Sequence, residues 1–250
     1  MNVEGKVFVI TGGARGLGLA IAKAITDKQG MCALVDLDQS AVDAAAISCG
    51  NKSKGYACNI TQEPEVEALF EQVLADFERL DGLVNNAGLL RDGMLIKFKD
   101  GQVQSKMSLS QWQSVIDVNL TGTFLCGREG AINMAKAGNG GVIINISSIA
   151  KAGNIGQSNY AATKAGVAAL VTTWAGELKR FGIRVAGIAP GVISTDMTDS
   201  MKPEALERIE KVIPLGRLGD REELANAAMF IIENEYMNGR LIELDGGLRF

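Results

Sequence analysis

Tyr160 and Lys164 stand four residues apart in the stretch YAATK (160–164), in a chain of 250 residues that has no histidine. Histidine is the side chain whose charge ordinarily changes near neutral pH, so acid–base work here falls to other groups or is not done at all. A phenol and an ammonium both ordinarily titrate near 10. Residues four apart share one face of a helix, a single turn apart. An ammonium beside a phenol favours phenolate and is expected to lower the tyrosine's pKa. Tuned in that way, Tyr160 can give a proton to a ketone oxygen or take one from an alcohol. Many helices carry such a pair for no chemical reason, so its meaning depends on what surrounds it.

The elements that must position the pair show in the patterning. Short apolar runs KVFVIT (6–11), MCALVD (31–36), KGYACNI (54–60), GLVNNAG (82–88), GVIINIS (141–147), IRVAGIAP (183–190) and RLIELDGG (240–247) alternate with longer helical stretches. The runs are continuous, as in strands buried on both faces of a parallel sheet. They predict an α/β fold: one doubly wound Rossmann domain over 1–250, with a seven-stranded parallel sheet and helices on both faces. Two helices are expected over about 110–137 and 158–181. The first carries Gly122, Gly127, Gly130 and Ala131, the second Ala161, Ala165, Ala168 and Ala169. Small residues permit close approach, either to the sheet alone or to another subunit.

Bulk numbers exclude several classes. Hydrophobic residues are 47% and charged residues 22%, so the chain can bury a substantial core. A net charge of −4 argues against an electrostatic grip on nucleic acid. Cys32, Cys49, Cys58 and Cys126 form no CxxC pair, and without histidine no Cys/His zinc site is expected; no metal is. No apolar run approaches the roughly 20 residues of a membrane span. The first strand begins within a few residues of the start, leaving no room for a signal peptide, so a cytoplasmic location is the default expectation.

TGGARGLG (11–18) follows the first strand and opens the first helix. Its glycines let the backbone turn sharply and approach a pyrophosphate, and the helix start offers free N–H groups and a positive dipole end. Asp36 follows about 20 residues on, the spacing at which a carboxylate meets the adenosine ribose hydroxyls of a dinucleotide. A carboxylate there repels a 2′-phosphate and favours NAD(H). Arg15 pulls the other way, toward NADP(H), because a guanidinium can hold that phosphate.

In order, TGGARGLG, NNAG (85–88), Asn119, NISS (145–148), YAATK and PG (190–191) resemble the short-chain dehydrogenase/reductase family, from the first strand to the closing DGG (245–247). Within it, SNYAATKAG, the PG-x-I-x-T-x-M strip and PLGRLG (214–219) look most like the bacterial 3-oxoacyl-(acyl carrier protein) reductases. The resemblance implies that Tyr160 exchanges the proton and that Lys164 also holds the nicotinamide ribose. It implies a serine that hydrogen-bonds the substrate carbonyl. The family's strand register gives Ser148, while counting back from Tyr160 gives Ser147; only one can face the substrate, because a strand reverses side-chain direction at each residue. Ser148 is the choice and Ser147 the runner-up. Asn119, in DVNLTG, is expected to bend its helix and position a water that links the lysine to solvent.

The expected cofactor-binding set is Gly12, Arg15, Gly16, Leu17 and Gly18 in the loop, Asp36 and Leu37 after the second strand, Asn59 and Ile60 beside the adenine, Asn86, Ala87 and Gly88, Tyr160 and Lys164, and Pro190, Gly191, Ile193 and Thr195 over the carboxamide. The implied activity is NAD(P)(H)-dependent interconversion of a ketone and a secondary alcohol, with reduction of a 3-oxoacyl thioester favoured. The thioester partner is acyl carrier protein or coenzyme A, and the assembly a homotetramer or homodimer. An alcohol, sugar or 3-hydroxyacyl-CoA dehydrogenase of the same family is the alternative, and a non-catalytic dinucleotide sensor the remote one. Two departures stand out. Where the reductases present basic residues to dock the acidic carrier, KAGNGG (136–141) offers only Lys136. Between NNAG and Asn119 the chain is also longer than the family's usual, in LIKFKDGQVQSKMS (95–108). Alternation about Asp100-Gly101 predicts a β-hairpin near the active-site mouth, read as a plain surface loop, a substrate lid or an oligomer contact.

Overall fold

The computed structural model describes residues 1–50, 52–195 and 203–249. Strands β1 (Val7–Thr11), β2 (Met31–Asp36), β3 (Lys54–Ala57), β4 (Gly82–Asn85), β7 (Gly141–Ile146), β8 (Ile183–Pro190) and β9 (Leu241–Leu244) form one sheet in the order β3-β2-β1-β4-β7-β8-β9. Every pairing in it is parallel. The central strands β1, β4 and β7 are buried along their whole length, while the edge strands β3 and β9 are not. Helices α1 (Gly16–Asp27), α2 (Gln39–Ser48) and α3 (Glu63–Phe77) connect the first four strands. Beyond them lie α4 (Leu109–Ile116), α5 (Thr123–Ala137), α6 (Ser158–Glu177), α7 (Pro203–Val212) and α8 (Arg221–Glu233). One core cluster packs β1 against α1 and α8 through Phe8, Ile21, Ile25 and Ile232. The other packs the opposite face against α3, α5 and α6 through Phe70, Leu83, Met134 and Trp174. The seven-stranded parallel sheet read from the apolar runs is therefore present.

The boundaries differ from the sequence reading in instructive places. The runs KGYACNI and GLVNNAG continue past the ends of β3 and β4, because their last residues leave the sheet to line a cleft. The helix expected over about 110–137 is interrupted by a π-helical segment at Asp117–Gly122, between α4 and α5. It is a local widening that often marks a functional position. The helix expected to reach 181 ends at Glu177 and gives way to a short 3₁₀ turn, Lys179–Phe181.

Small residues on α5 serve close packing within the chain. A Cβ on Gly127 would lie 2.4 Å from the Trp174 ring of α6, and one on Gly130 2.9 Å from Leu83. Gly122 lies similarly tight against Ile60. Ala165 and Ala169 of α6 remain exposed.

Between β4 and α4 stands a separate two-stranded antiparallel sheet, β5 (Ile96–Lys99) and β6 (Gln102–Lys106). Asp100 and Gly101 turn it with φ of 50° and 75°, the doubly positive pair that matches the right-handed twist of a hairpin. The register slips between Lys97 and Phe98. The chain then enters α4 through a capping box, in which Ser108 and Gln111 satisfy each other's backbone N–H groups.

Candidate active site

A cleft of about 640 Å³ opens at the carboxyl ends of β1, β2 and β4, on either side of the point where the strand order reverses. In doubly wound sheets this is where ligands bind. Its floor is backbone. Gly12 and Gly16 hold φ of 64° and 58°, a conformation cheap only for glycine. A Cβ on Gly18 would lie 2.3 Å from the Gly12 carbonyl oxygen and 2.7 Å from Asn86 Nδ2, so α1 can rest on the loop only without a side chain there. Asn86 Nδ2 donates to the Thr11 and Gly12 carbonyls and locks β4 to the loop. The start of α1 has no side-chain cap and no acidic residue in its first turn, which leaves its N–H groups and positive dipole end facing the cleft.

Asp36 stands at the far end. Its carboxylate accepts from Leu37 N at 2.9 Å and from Ala14 N at 3.4 Å. Arg15 also lines the cleft, exposed and without an ion pair among the described residues. Gly12, Arg15, Gly16, Leu17, Asp36, Leu37, Asn59, Ile60, Asn86, Ala87, Gly88 and Thr195 all lie on the wall, as do Val35, Cys58, Leu89 and Val118, which the sequence reading missed. Val35 and Cys58 lie inside runs already singled out and Leu89 directly follows one, while Val118 adjoins Asn119 in the π-helical segment.

Other members of the expected set lie elsewhere. Gly18 supports the loop from behind. Pro190 and Gly191 are off the wall: Gly191 is glycine because a Cβ would lie 2.8 Å from Asp245 Cα. Ile193 buries its side chain and forms a parallel bridge with Gly219. That bridge uses Ser194 N and the Val192 carbonyl, leaving Ile193's own amide and carbonyl out of the ladder. Asp196 and Met197 of the PG-x-I-x-T-x-M strip lie outside the described residues. Asn59 Oδ1 is engaged by Thr61, through its N–H at 3.2 Å and its hydroxyl at 2.9 Å, so an adenine amine would share that oxygen.

The Tyr160–Lys164 corner adjoins this cleft at Gly88, where a Cβ would lie 3.7 Å from both Lys164 Nζ and Asn119 Oδ1. Lys164 is buried, and its ammonium donates to the Ile146 carbonyl at 2.8 Å. Tyr160 is partly buried, with Lys164 Nζ 5.5 Å from the centre of its ring. The two serines at the end of β7 separate cleanly. Ser147 Oγ donates to the Lys164 carbonyl at 2.8 Å and so points into α6. Ser148 stands beside the Tyr160 hydroxyl, whose pKa it lowers, and its Oγ accepts from Ala150 N at 3.1 Å. Asn119 sits in the π-helical segment, where the helix departs from regular α geometry, and both ends of its side-chain amide are engaged. Oδ1 accepts from Leu89 N at 2.7 Å, and Nδ2 donates to the Leu89 carbonyl and to Thr163 Oγ1. It ties the π-helical segment to α6 and to the loop after β4.

The electrostatics reverse one expectation. Burial raises the Tyr160 phenol above its ordinary value, the Ser148 hydroxyl pulls it down, and Asp92 pushes it up. Burial outweighs any pull from Lys164 here. The ammonium is directed at a carbonyl and at the ring rather than at the hydroxyl, and burial brings its own pKa down to about 8. Asp92 was also missed by sequence reading. It accepts from Gln157 Nε2 at 2.9 Å, while the Arg91 carbonyl accepts from Asn159 Nδ2, so the segment after NNAG is stitched to the start of α6.

These residues fit a dinucleotide. The glycine-rich loop, the uncapped helix start and the Asp36 carboxylate form a cradle in which α1 and the segment after β4 approach too closely for a Cβ at Gly12 or Gly18. Among the described residues no cluster suited to a metal is present.

Comparison with known proteins agrees with the geometry. A family model described as enoyl-(acyl carrier protein) reductase matches residues 12–249. The chain is 38% identical to a 3-oxoacyl-(acyl-carrier-protein) reductase of Thermotoga maritima, with 99% of each chain covered. It is 34% identical to the Escherichia coli protein of that name, again over 99% of each. A Synechocystis relative, also named 3-oxoacyl-(acyl-carrier-protein) reductase, is 40% identical over 97% of this chain and 96% of its own.

Proposed function

The chain belongs to the short-chain dehydrogenase/reductase family, and from that premise we propose that it reduces a 3-oxoacyl thioester to the 3-hydroxy form with Tyr160 as proton donor. It is an oxidoreductase of the keto/CH–OH class using a nicotinamide dinucleotide. The observation that carries the site assignment is the Ser148–Tyr160–Lys164 corner bordering the dinucleotide cleft.

Gly12, Gly16 and Gly18 shape the pyrophosphate seat, Asp36 takes the adenosine ribose hydroxyls, and Lys164 takes the nicotinamide ribose. The bound nicotinamide supplies the hydride that reaches the carbonyl carbon. Ser148 Oγ and the Tyr160 hydroxyl both donate to the carbonyl oxygen, where negative charge develops. Tyr160 then passes its proton to that oxygen, and Lys164, charged below about pH 8, steadies the phenolate left behind. With its pKa raised chiefly by burial, the Tyr160 phenol carries its proton at neutral pH, as an ordinary phenol does. Asn119 acts as a positioning residue through Leu89 and Thr163.

Asp36 with its backbone-held carboxylate supports NAD(H) over NADP(H); the exposed Arg15 is the competing influence. A homodimer through α5 and α6, and a tetramer built from it, is supported by a groove of about 290 Å³ lined by Phe124, Ile132, Trp174 and Phe181. Among the described residues no helix is long and apolar enough to cross a membrane. Four free, buried cysteines accord with a cytoplasmic, reducing setting.

Initial rates with acetoacetyl-CoA, NADH and NADPH side by side, test the reading. Oxidation of NADH well above NADPH is the expected result, with Asp36→Ser shifting the preference toward NADPH. Activity confined to NADPH would overturn the role given to Asp36. The family model's description names an enoyl group, so crotonyl-CoA belongs in the same assay; turnover of crotonyl-CoA in place of acetoacetyl-CoA would overturn the oxo-group assignment.

A further inference from the structure

The hairpin β5–β6 is exposed along both strands. A lone two-stranded sheet is at best marginal in water, and this one leaves large apolar side chains uncovered: Ile96 is 55% exposed, Phe98 62% and Val103 57%. Cross-strand partners share a face. The register pairs Phe98 with Val103 and Ile96 with Lys106, so the apolar side chains stand together with one ammonium at their base. Lys97 and Lys99 pair with Ser105 and Gln102 on the other face. Among the described residues none of the three ammonium groups has a hydrogen bond or ion pair. In a chain of net charge −4, this is a locally basic arm around an apolar patch. Its root is fixed beside the chemistry: Gly93 N donates to the Gly156 carbonyl at 2.8 Å, and Gly93 bridges to Gln157 at the start of α6, which carries Tyr160.

We propose that this hairpin docks an acidic carrier protein that presents the thioester, with Phe98 as apolar anchor and Lys97, Lys99 and Lys106 as the complementary charge. The inference rests on the 3-oxoacyl thioester reading above and names its macromolecular partner surface. Charge complementarity selects the occupant, because steering by exposed lysines acts on an anionic surface, and buried aromatic anchors carry most of the affinity of such contacts. The hairpin thereby does what KAGNGG, with Lys136 alone, is not equipped to do. A free coenzyme A thioester brings phosphates but no protein surface for Phe98 and Val103 to cover.

The test compares acetoacetyl-carrier protein with acetoacetyl-CoA on the whole enzyme, wild type against the triple variant Lys97→Glu, Lys99→Glu, Lys106→Glu and against Phe98→Ser. NADH binding and oligomeric state are checked for each. Expected is a KM for the carrier-bound substrate at least about tenfold higher in the triple variant, since exposed charges act chiefly on encounter, with kcat and the KM for acetoacetyl-CoA unchanged. The wild-type KM for the carrier should also climb with salt. Equal rises in both KM values would instead assign the arm to the phosphates of coenzyme A. Loss of assembly would assign it to a second copy of the chain, and an unchanged carrier KM would leave it without a docking role; each of these overturns the proposal. Failure of wild type to turn over either thioester would sink the functional reading itself, a result separable from all of these.

Discussion

The two halves of the candidate site are built in opposite ways. The dinucleotide half is backbone: its shape comes from side chains that are missing at Gly12, Gly16 and Gly18, and from an unclaimed helix start. The proton-transfer half is side chain: Ser148, Asn119 and Asp92 come from three separate segments to meet Tyr160 and Lys164 of α6, and hydrogen bonds hold Ser148, Lys164, Asn119 and Asp92 in place. A backbone site fails by steric intrusion and should lose binding. A side-chain site fails by losing a charge or proton and should lose rate while binding persists.

Gly18→Ala breaks that contrast hardest. The new Cβ would meet the Gly12 carbonyl at 2.3 Å, so backbone must move. Overpacking of this kind costs about 1–3 kcal/mol, and NADH affinity should fall about tenfold or more in a fluorescence titration. Gly16→Ala is the milder control, since open space surrounds it and only its φ of 58° is strained. Equal affinities for Gly18→Ala and wild type would refute the packing argument.

Lys164→Met should separate rate from stability. The folded pKa lies near 8 against the ordinary 10.5, because burial disfavours the charge. The unfolded chain therefore holds this proton over a range where the folded chain has released it, so wild-type stability rises as pH climbs from about 8 to 10.5. Below that window the buried ammonium is a standing cost. The variant should lose turnover yet melt higher at pH 7, by about 1–2 kcal/mol once the lost bond to Ile146 is subtracted. Thermal melts across pH 7–10.5 check it: the advantage should shrink as pH rises, and a variant less stable at pH 7 would contradict the account.

Asp92→Asn is the smallest effect. Asp92 raises the phenol's pKa from an exposed position, so its removal should shift the pH profile of alcohol oxidation to lower pH. Added salt should narrow the difference between variant and wild type. A shift to higher pH would mean the carboxylate acts some other way.

Legibility followed the same division. Glycine spacing exposes a backbone site directly, because only a residue without Cβ tolerates those contacts, and most of the cleft wall was foreseen from TGGARGLG, Asp36 and NNAG. Tyr160 and Lys164 were foreseen from helical spacing, but spacing carries no information on where an ammonium points. Lys164 turned out to face Ile146, and the sign of the tyrosine's shift was misjudged. Asn119 was singled out, yet its bonds to Leu89 could be known only once the loop after β4 was placed. Asp92 carried no signal in sequence, since its importance comes from a contact with Gln157, 65 residues away. The Asp100-Gly101 turn announced a hairpin, whereas nothing local shows that Ile96, Phe98 and Val103 stay uncovered.

The central claim is that binding and proton transfer reside in these separate halves, and Tyr160→Phe tests it most directly. The substitution removes one hydroxyl from a partly buried ring and leaves the cleft wall untouched. NADH titration and acetoacetyl-CoA turnover should be measured on the same preparation. The account predicts unchanged NADH affinity with turnover lowered by about 10²–10⁴-fold. Turnover near the wild-type level would contradict it, because the proton would then have another source.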